Sequence, residues 1–233
     1  MENVLIGIQA RSGSQRLPRK AFELIGGRTM LDRVIDSCNK AATRLNKLGS
    51  KCQVVVLTPK NDPIVAEFSN RVEVFEGEEH DVLSRYVNSA EKYEAEFIVR
   101  ITGDCPFIPH ALVSYMTSIA VKMKYDYFSN VDERFRTSID GSDCEVFSAR
   151  MLEYADKAAR KNFDREHVTT IMRRNPPAWA VNGIAINHFD ISDIKLSVDT
   201  QDDLDKARKV FDSTYRKIQD ATRVYGKEAI HRI

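Results

Sequence analysis

No stretch of the chain approaches the roughly 18 consecutive apolar residues that a bilayer-spanning helix requires. Met1 to Gln9 also lacks the basic flank and long apolar core of a secretory signal. A cytoplasmic protein with no membrane partner is the expectation. Cysteine is sparse: Cys38, Cys52, Cys105 and Cys144 stand apart with neither a CxxC nor a Cys/His cluster. Neither a zinc site nor a disulfide framework is indicated, and the four are read as reduced thiols, mostly packing. An excess of one charge is missing too, since 35 Lys and Arg face 34 Asp and Glu. There is no global basic field of the kind that drives sequence-independent nucleic-acid binding, so no nucleic-acid partner is expected and any anion site must be local. There is no internal repeat, no low-complexity run and no Pro/Gly/Ser linker, so the 233 residues read as one domain, 1–233. Two phosphate signatures are absent as well. No GxxxxGK[ST] occurs, and no GxGxxG follows the first apolar run, which excludes a Walker-type P-loop and a standard dinucleotide site.

What is present is an alternation of strands and helices. Val4 to Ile8, Gln53 to Leu57 and Phe97 to Ile101 are short apolar runs of the kind buried on both faces of a parallel sheet, and Val72 to Phe75 adds another strand. Helical periodicity marks Met30 to Cys38, Pro63 to Phe68, Asp81 to Tyr93 and Ala111 to Met123. From Tyr125 to Asn187 the pattern is irregular, with β-like runs at Tyr125 to Ser129, Cys144 to Phe147 and Trp179 to Ile186. Helices are expected there at Ala149 to Arg160 and Arg165 to Arg173. The segment at about 125–190 reads as an α+β lobe inserted into a mostly parallel sheet, with Lys195 to Val198 as a returning core strand and a closing helix over Gln201 to Gln219. Short connections between alternating elements imply an α/β sheet flanked by helices, with ligands at the carboxyl ends of its strands.

Three clusters carry candidate chemistry. Directly after the first strand comes Ala10-Arg11-Ser12-Gly13-Ser14-Gln15-Arg16-Leu17-Pro18-Arg19-Lys20, a turn of small residues and cations. Backbone N–H groups at Ser12 and Gly13 with cations at Arg11, Arg16 and Lys20 suit a polyphosphate, although a solvated basic turn has the same spelling. Asp104 and Asp199 each follow a strand-like run, at the carboxyl ends where Mg²⁺ would find two carboxylates; each also stands where a helix cap would. Glu145, with Arg165, Glu166 and His167 at a helix start, offers polar groups to a second substrate or simply a capped helix.

In order along the chain, IQARSGSQRLPRK, DVLSRY, VRITGDCPFI, GSDCEVFS, REHVTTIMR and SVDTQDDL resemble the successive blocks of the SpsF-type cytidylyltransferases of spore-coat polysaccharide biosynthesis, relatives of the CMP-Kdo and CMP-sialic acid synthetases. The resemblance implies a Rossmann-like, GT-A-type fold. It further implies a homodimer paired through the inserted lobe, and an enzyme that uses CTP and Mg²⁺ to place CMP on a sugar acid or related polyol with release of pyrophosphate. By position, Ala10, Arg11, Ser12, Gly13, Arg16 and Lys20 would hold the triphosphate, and Lys20, Arg16 and Arg11 would stabilise the charge that moves onto the leaving group. Asp81, Arg85, Thr102 and Gly103 would lie near the nucleotide, Asp104 and Asp199 would hold the metal, and Arg136, Glu145, Glu166 and His167 would meet the acceptor. Thr102 stands where the Kdo branch has a glutamine that helps recognise cytosine, so the base is implied by the resemblance alone. Two other classes remain open: a non-catalytic nucleotide- or RNA-binding protein on the same sheet, and a GT-A-type glycosyltransferase, although no Asp-x-Asp precedes the lobe.

Overall fold

In a computed structural model, which describes residues 1–225 and side chains as far as Thr214, seven strands form one sheet. The chain enters with β1 (Asn3–Gln9), then makes a 3-10 turn at Lys20–Phe22 and a two-residue hairpin, β2 (Leu24–Ile25) and β3 (Arg28–Thr29). Helix α1 (Met30–Lys47) follows, capped by the Thr29 hydroxyl, which accepts from the Asp32 N–H at 3.1 Å. Its Leu31, Val34, Ile35, Cys38, Ala41, Ala42 and Leu45 recur at helical spacing and are all buried. Next come β4 (Lys51–Pro59), α2 (Pro63–Phe68), β5 (Glu73–Gly77), α3 (Val82–Lys92), β6 (Phe97–Thr102) and α4 (His110–Met123). Beyond these lie β7 (Tyr127–Ser129), β8 (Glu145–Ser148), α5 (Ala149–Ala158), α6 (Asn162–Glu166), α7 (Thr170–Arg174), β9 (Asn182–Ile184) and the closing α8 (Gln201–Tyr225).

The sheet order is β5-β4-β1-β6-β8-β7-β9, with β1, β4, β5 and β6 mutually parallel and β8 antiparallel to both its neighbours. Alternation along β1 sorts the core. Val4, Ile6 and Ile8 pack with α1 and α4 on one face, while Leu5 packs with α3, α5 and α7 on the other. After β1 the chain leaves toward β4, and it later returns on the opposite side as β6. The carboxyl ends of β1 and β6 therefore flank a topological switch point, the place where open α/β sheets bind ligands. A smaller cluster of Leu17, Ile25, Met30, Val198, Leu204 and Ala207 ties the basic turn to the start of α8. All four cysteines are free, and among the described residues no helix is long and apolar enough to cross a membrane.

Three expectations need correction. Lys195 to Val198 is not a core strand: only an isolated bridge joins Lys195 to Asp140. The amides of Leu196 and Val198 donate instead to the carbonyls of Asp140 and Asp104, at 2.6 and 2.9 Å, so the half-apolar alternation reflects packing over the loops at the end of β6. The single helix over Arg165 to Arg173 is two, broken where buried Val168 takes φ 56°, a left-handed conformation that costs a β-branched residue. Finally, the strands of the 125–190 segment do not leave the sheet, because β7, β8 and β9 pair in succession beyond β6 and form its far half. Antiparallel β8 made that half unreadable as a continuation of the parallel pattern.

Candidate active site

The turn after β1 is built on its own backbone. The Ser12 carbonyl accepts from the amides of Ser14 and Arg19, both at 3.0 Å, and the Ala10 amide donates to Leu57 at the end of β4 at 3.1 Å. Arg19 lies in the left-handed region at φ 58° and turns the chain into the short helix that presents Lys20. Across the switch point, the Gly103 amide donates to the Gln9 carbonyl at 2.8 Å. A Cβ on Gly103 would lie 3.0 Å from that of Ala10 and 3.2 Å from the Gln9 carbonyl oxygen, so a side chain there would push the ends of β1 and β6 apart by a few tenths of an ångström. The next residue, Asp104, is thereby set against the basic turn.

At the centre is the Lys20 ammonium, which donates to Asp104 Oδ2 at 2.9 Å, to the Val198 carbonyl at 2.9 Å and to Asp199 Oδ1 at 3.1 Å. The same Asp199 oxygen takes Arg16 Nη2 at 2.9 Å, and Lys195 Nζ lies 3.8 Å from its partner oxygen. Burial works against the charge of Asp104, but the adjacent Lys20 more than offsets it and holds this carboxyl below the usual carboxylate range. Asp199 is positioned by Asp203, whose Oδ2 accepts from the amides of Asp199 and Thr200, at 3.1 and 3.0 Å, and from Lys195 at 2.8 Å. Two acids 95 positions apart thus share one ammonium.

A cleft of about 380 Å³ opens over this centre. Of the anticipated residues, Ala10, Arg11, Arg16, Lys20, Arg85, Thr102, Gly103, Asp104, Glu166 and Asp199 line it. Glu166 faces Arg11 across the mouth at 3.9 Å. Arg85, 1 % exposed, donates to the Leu57 carbonyl at 3.1 Å, and its Nε has no hydrogen-bond partner. Burial lowers its pKa, so an accepting atom in the cleft would relieve a costly buried donor.

Other anticipated residues are directed elsewhere. The amide and hydroxyl of Ser12 both donate to Asp62 Oδ2, at 2.9 and 3.0 Å, so Ser12 anchors the turn to the cap of α2. Gly13 is exposed outside the lining. Asp81 caps α3 through the Ser84 amide and pairs with both Arg165 Nε and Nη2, a structural clamp that seats α6. Arg136 is taken up by Asp143 at 2.6 Å and by the Ser138 and Ile139 carbonyls. His167 packs against the Phe163 ring, 4.3 Å between centroids, and does not line the cleft. Glu145 is buried at 2 % exposure opposite Arg100 in the β6–β8 register, bonded to Arg100 at 2.5 Å and to the Tyr127 hydroxyl at 2.6 Å. It is therefore not free to bind an acceptor directly. Burial opposes its charge, but Arg100 keeps its carboxyl below the usual range.

Gln9 was not anticipated as a site residue. Arg100 Nη2 donates to Gln9 Oε1 at 3.1 Å, and Gln9 lines the cleft with its amide N–H donors left for a ligand. Its signal is a polar residue closing an otherwise apolar first strand. Asp62 and the Val198 carbonyl were also missed, and a main-chain acceptor leaves no trace in a sequence.

Known proteins resemble the chain along most of its length. A family model described as cytidylyltransferase matches residues 5–229. An uncharacterised protein of Methanocaldococcus jannaschii is 34 % identical over 217 residues, covering 86 % of this chain and 84 % of its own. The spore coat polysaccharide biosynthesis protein SpsF of Bacillus subtilis is 27 % identical over 215 residues, covering 91 % and 87 %. Among solved structures, a cytidylyltransferase from Leptospira borgpetersenii serovar Hardjo-bovis superposes with a TM-score of 0.78 at 30 % identity, over 88 % of this chain and 84 % of that one.

Proposed function

Because the chain belongs to the cytidylyltransferase family, we propose that it transfers CMP from CTP to a hydroxyl of a sugar acid or related polyol, with release of pyrophosphate, in the cytoplasmic synthesis of a surface-polysaccharide precursor. The observation that carries this reading is the meeting of Lys20, Arg16, Asp104 and Asp199 at the switch-point cleft. An acceptor oxygen attacks the α-phosphorus while the pyrophosphate departs, and negative charge moves toward the leaving group. Lys20, Arg16 and Arg11 place cations where that charge develops, and positioning with charge stabilisation supplies most of the acceleration. Of the residues that line the cleft, Arg85 and Thr102 would face the nucleotide, while Gln9 and Glu166 would bound the space left for the acceptor.

The two aspartates and the Val198 carbonyl are a hard-oxygen donor set that suits Mg²⁺, which ordinarily takes one or two carboxylates and completes its shell with phosphates and water. In this reading Asp104 and Asp199 would hold it, although among the described residues no group of three or more His, Cys, Asp and Glu gathers that could hold a metal ion. Bound there, the ion would supply Lewis-acid stabilisation of the phosphates.

A homodimer is supported by the far edge of the sheet. Strand β9 ends the strand order, and exposed Ile184 within it and Val181, Ile186 and Phe189 beside it form an apolar edge that no strand pairs among the described residues, of the sort a second copy covers. The deciding assay is pyrophosphate release with each of the four NTPs and a panel of sugar acids. CTP- and acceptor-dependent release supports the reading, whereas nucleotide binding without release points to a non-catalytic binder.

A further inference from the structure

The Lys20 ammonium is saturated before any substrate arrives. It carries three N–H donors, and three protein oxygens take them at 2.9 to 3.1 Å, with the lysine side chain 16 % exposed. The same three oxygens, two carboxylate and one carbonyl, are the protein's contribution to the divalent-cation site described above. An ammonium and a divalent ion held on the same oxygens would repel each other at close range, so the ammonium opposes the ion's entry. A second cation, Arg16, also rests on Asp199.

Resting on the transferase reading, we infer that Lys20 is a built-in counter-cation that closes the site to divalent ions in the free protein. A nucleotide's triphosphate opens it by drawing the ammonium and Arg16 from the acids. The metal then enters with the nucleotide and not ahead of it. The exchange is balanced in charge: the phosphates take over the two cations, and the acids are released to a divalent ion. The exchange requires no proton transfer.

The test is Mn²⁺ binding to the full, nucleotide-free chain, followed by the loss of the free-ion electron paramagnetic resonance signal. The proteins compared are wild type, Lys20→Met and the double variant Lys20→Met/Asp104→Asn. Removing a unit charge at this range should raise the Mn²⁺ affinity of Lys20→Met at least about tenfold over wild type. The double variant should lose that gain. Lys20→Gln replaces Lys20→Met in the same comparison if the latter fails to fold by circular dichroism. A wild-type protein that takes up Mn²⁺ as tightly as the Lys20 variant overturns the inference, as does a gain that survives Asp104→Asn or no binding in any variant. These readouts use no nucleotide or acceptor, so they stand apart from the pyrophosphate assay; a protein that releases no pyrophosphate yet shows the Lys20-dependent gain loses the proposed reaction but keeps the closed cation site.

Discussion

Asp203 links the stability of the closing helix to the geometry of the site, and Asp203→Asn separates the two. Its carboxylate caps the start of α8 reciprocally with Thr200, whose hydroxyl accepts from the Asp203 amide at 3.3 Å, and it also binds Lys195. Burial opposes its charge, but the Lys195 bond and the two backbone amides prevail, taking its pKa from 3.8 down to about 2. A difference of nearly two units corresponds to about 2 kcal/mol of folding stability at neutral pH. Because the folded value is the depressed one, this contribution is complete above about 3.8, fades as the pH falls through that value, and is gone below about 2. Urea unfolding at a series of pH values should find the variant about 2 kcal/mol less stable than wild type at pH 7, with the gap closing toward pH 2. A gap that persists unchanged at pH 2 would refute the electrostatic assignment and leave only lost packing.

Lys20→Ala should lower turnover by about 10²–10³-fold without unfolding the protein, by analogy with the loss of one charge-stabilising donor, and near-wild-type turnover at saturating nucleotide would withdraw that role. Glu145→Gln leaves the Arg100 guanidinium buried without its counter-ion, so denaturation should show a loss of about 3–5 kcal/mol, and a loss under about 1 kcal/mol would mean the pair is solvated. Gly103→Ala forces a methyl group against Ala10 and the Gln9 carbonyl, and should reduce turnover at least about tenfold, since small misplacements of catalytic groups are costly; unchanged kinetics would show that Asp104 does not depend on this contact.

The core of the fold was legible because β1, β4 and β6 are mostly buried and so are written as apolar runs, β6 interrupted only by Arg100, with α1 and α3 as amphipathic repeats between them. Legibility fell where elements are short or held by single contacts. The hairpin at Leu24 to Thr29 has too few residues to show a period, and its turn is set by Gly26 at φ 54°, where a Cβ would strike the Phe211 ring. Lys20 and Asp104 were read from their places after β1 and β6, and Asp199 from a strand at Lys195 to Val198 that the structure does not contain; the three nevertheless meet at one ammonium. Asp81 and Glu145 were misplaced for a physical reason: spacing shows that a charge is present but not that an arginine distant in sequence has already claimed it.

The position of a bound triphosphate decides whether the switch-point cleft is the active site. A crystal structure with a non-hydrolysable CTP analogue should place its phosphates on Lys20 and Arg16, beside Asp104 and Asp199. Phosphates bound elsewhere, for instance in the second cleft lined by Arg134, Arg173 and Arg174, with Lys20 still seated between the two aspartates, would contradict it.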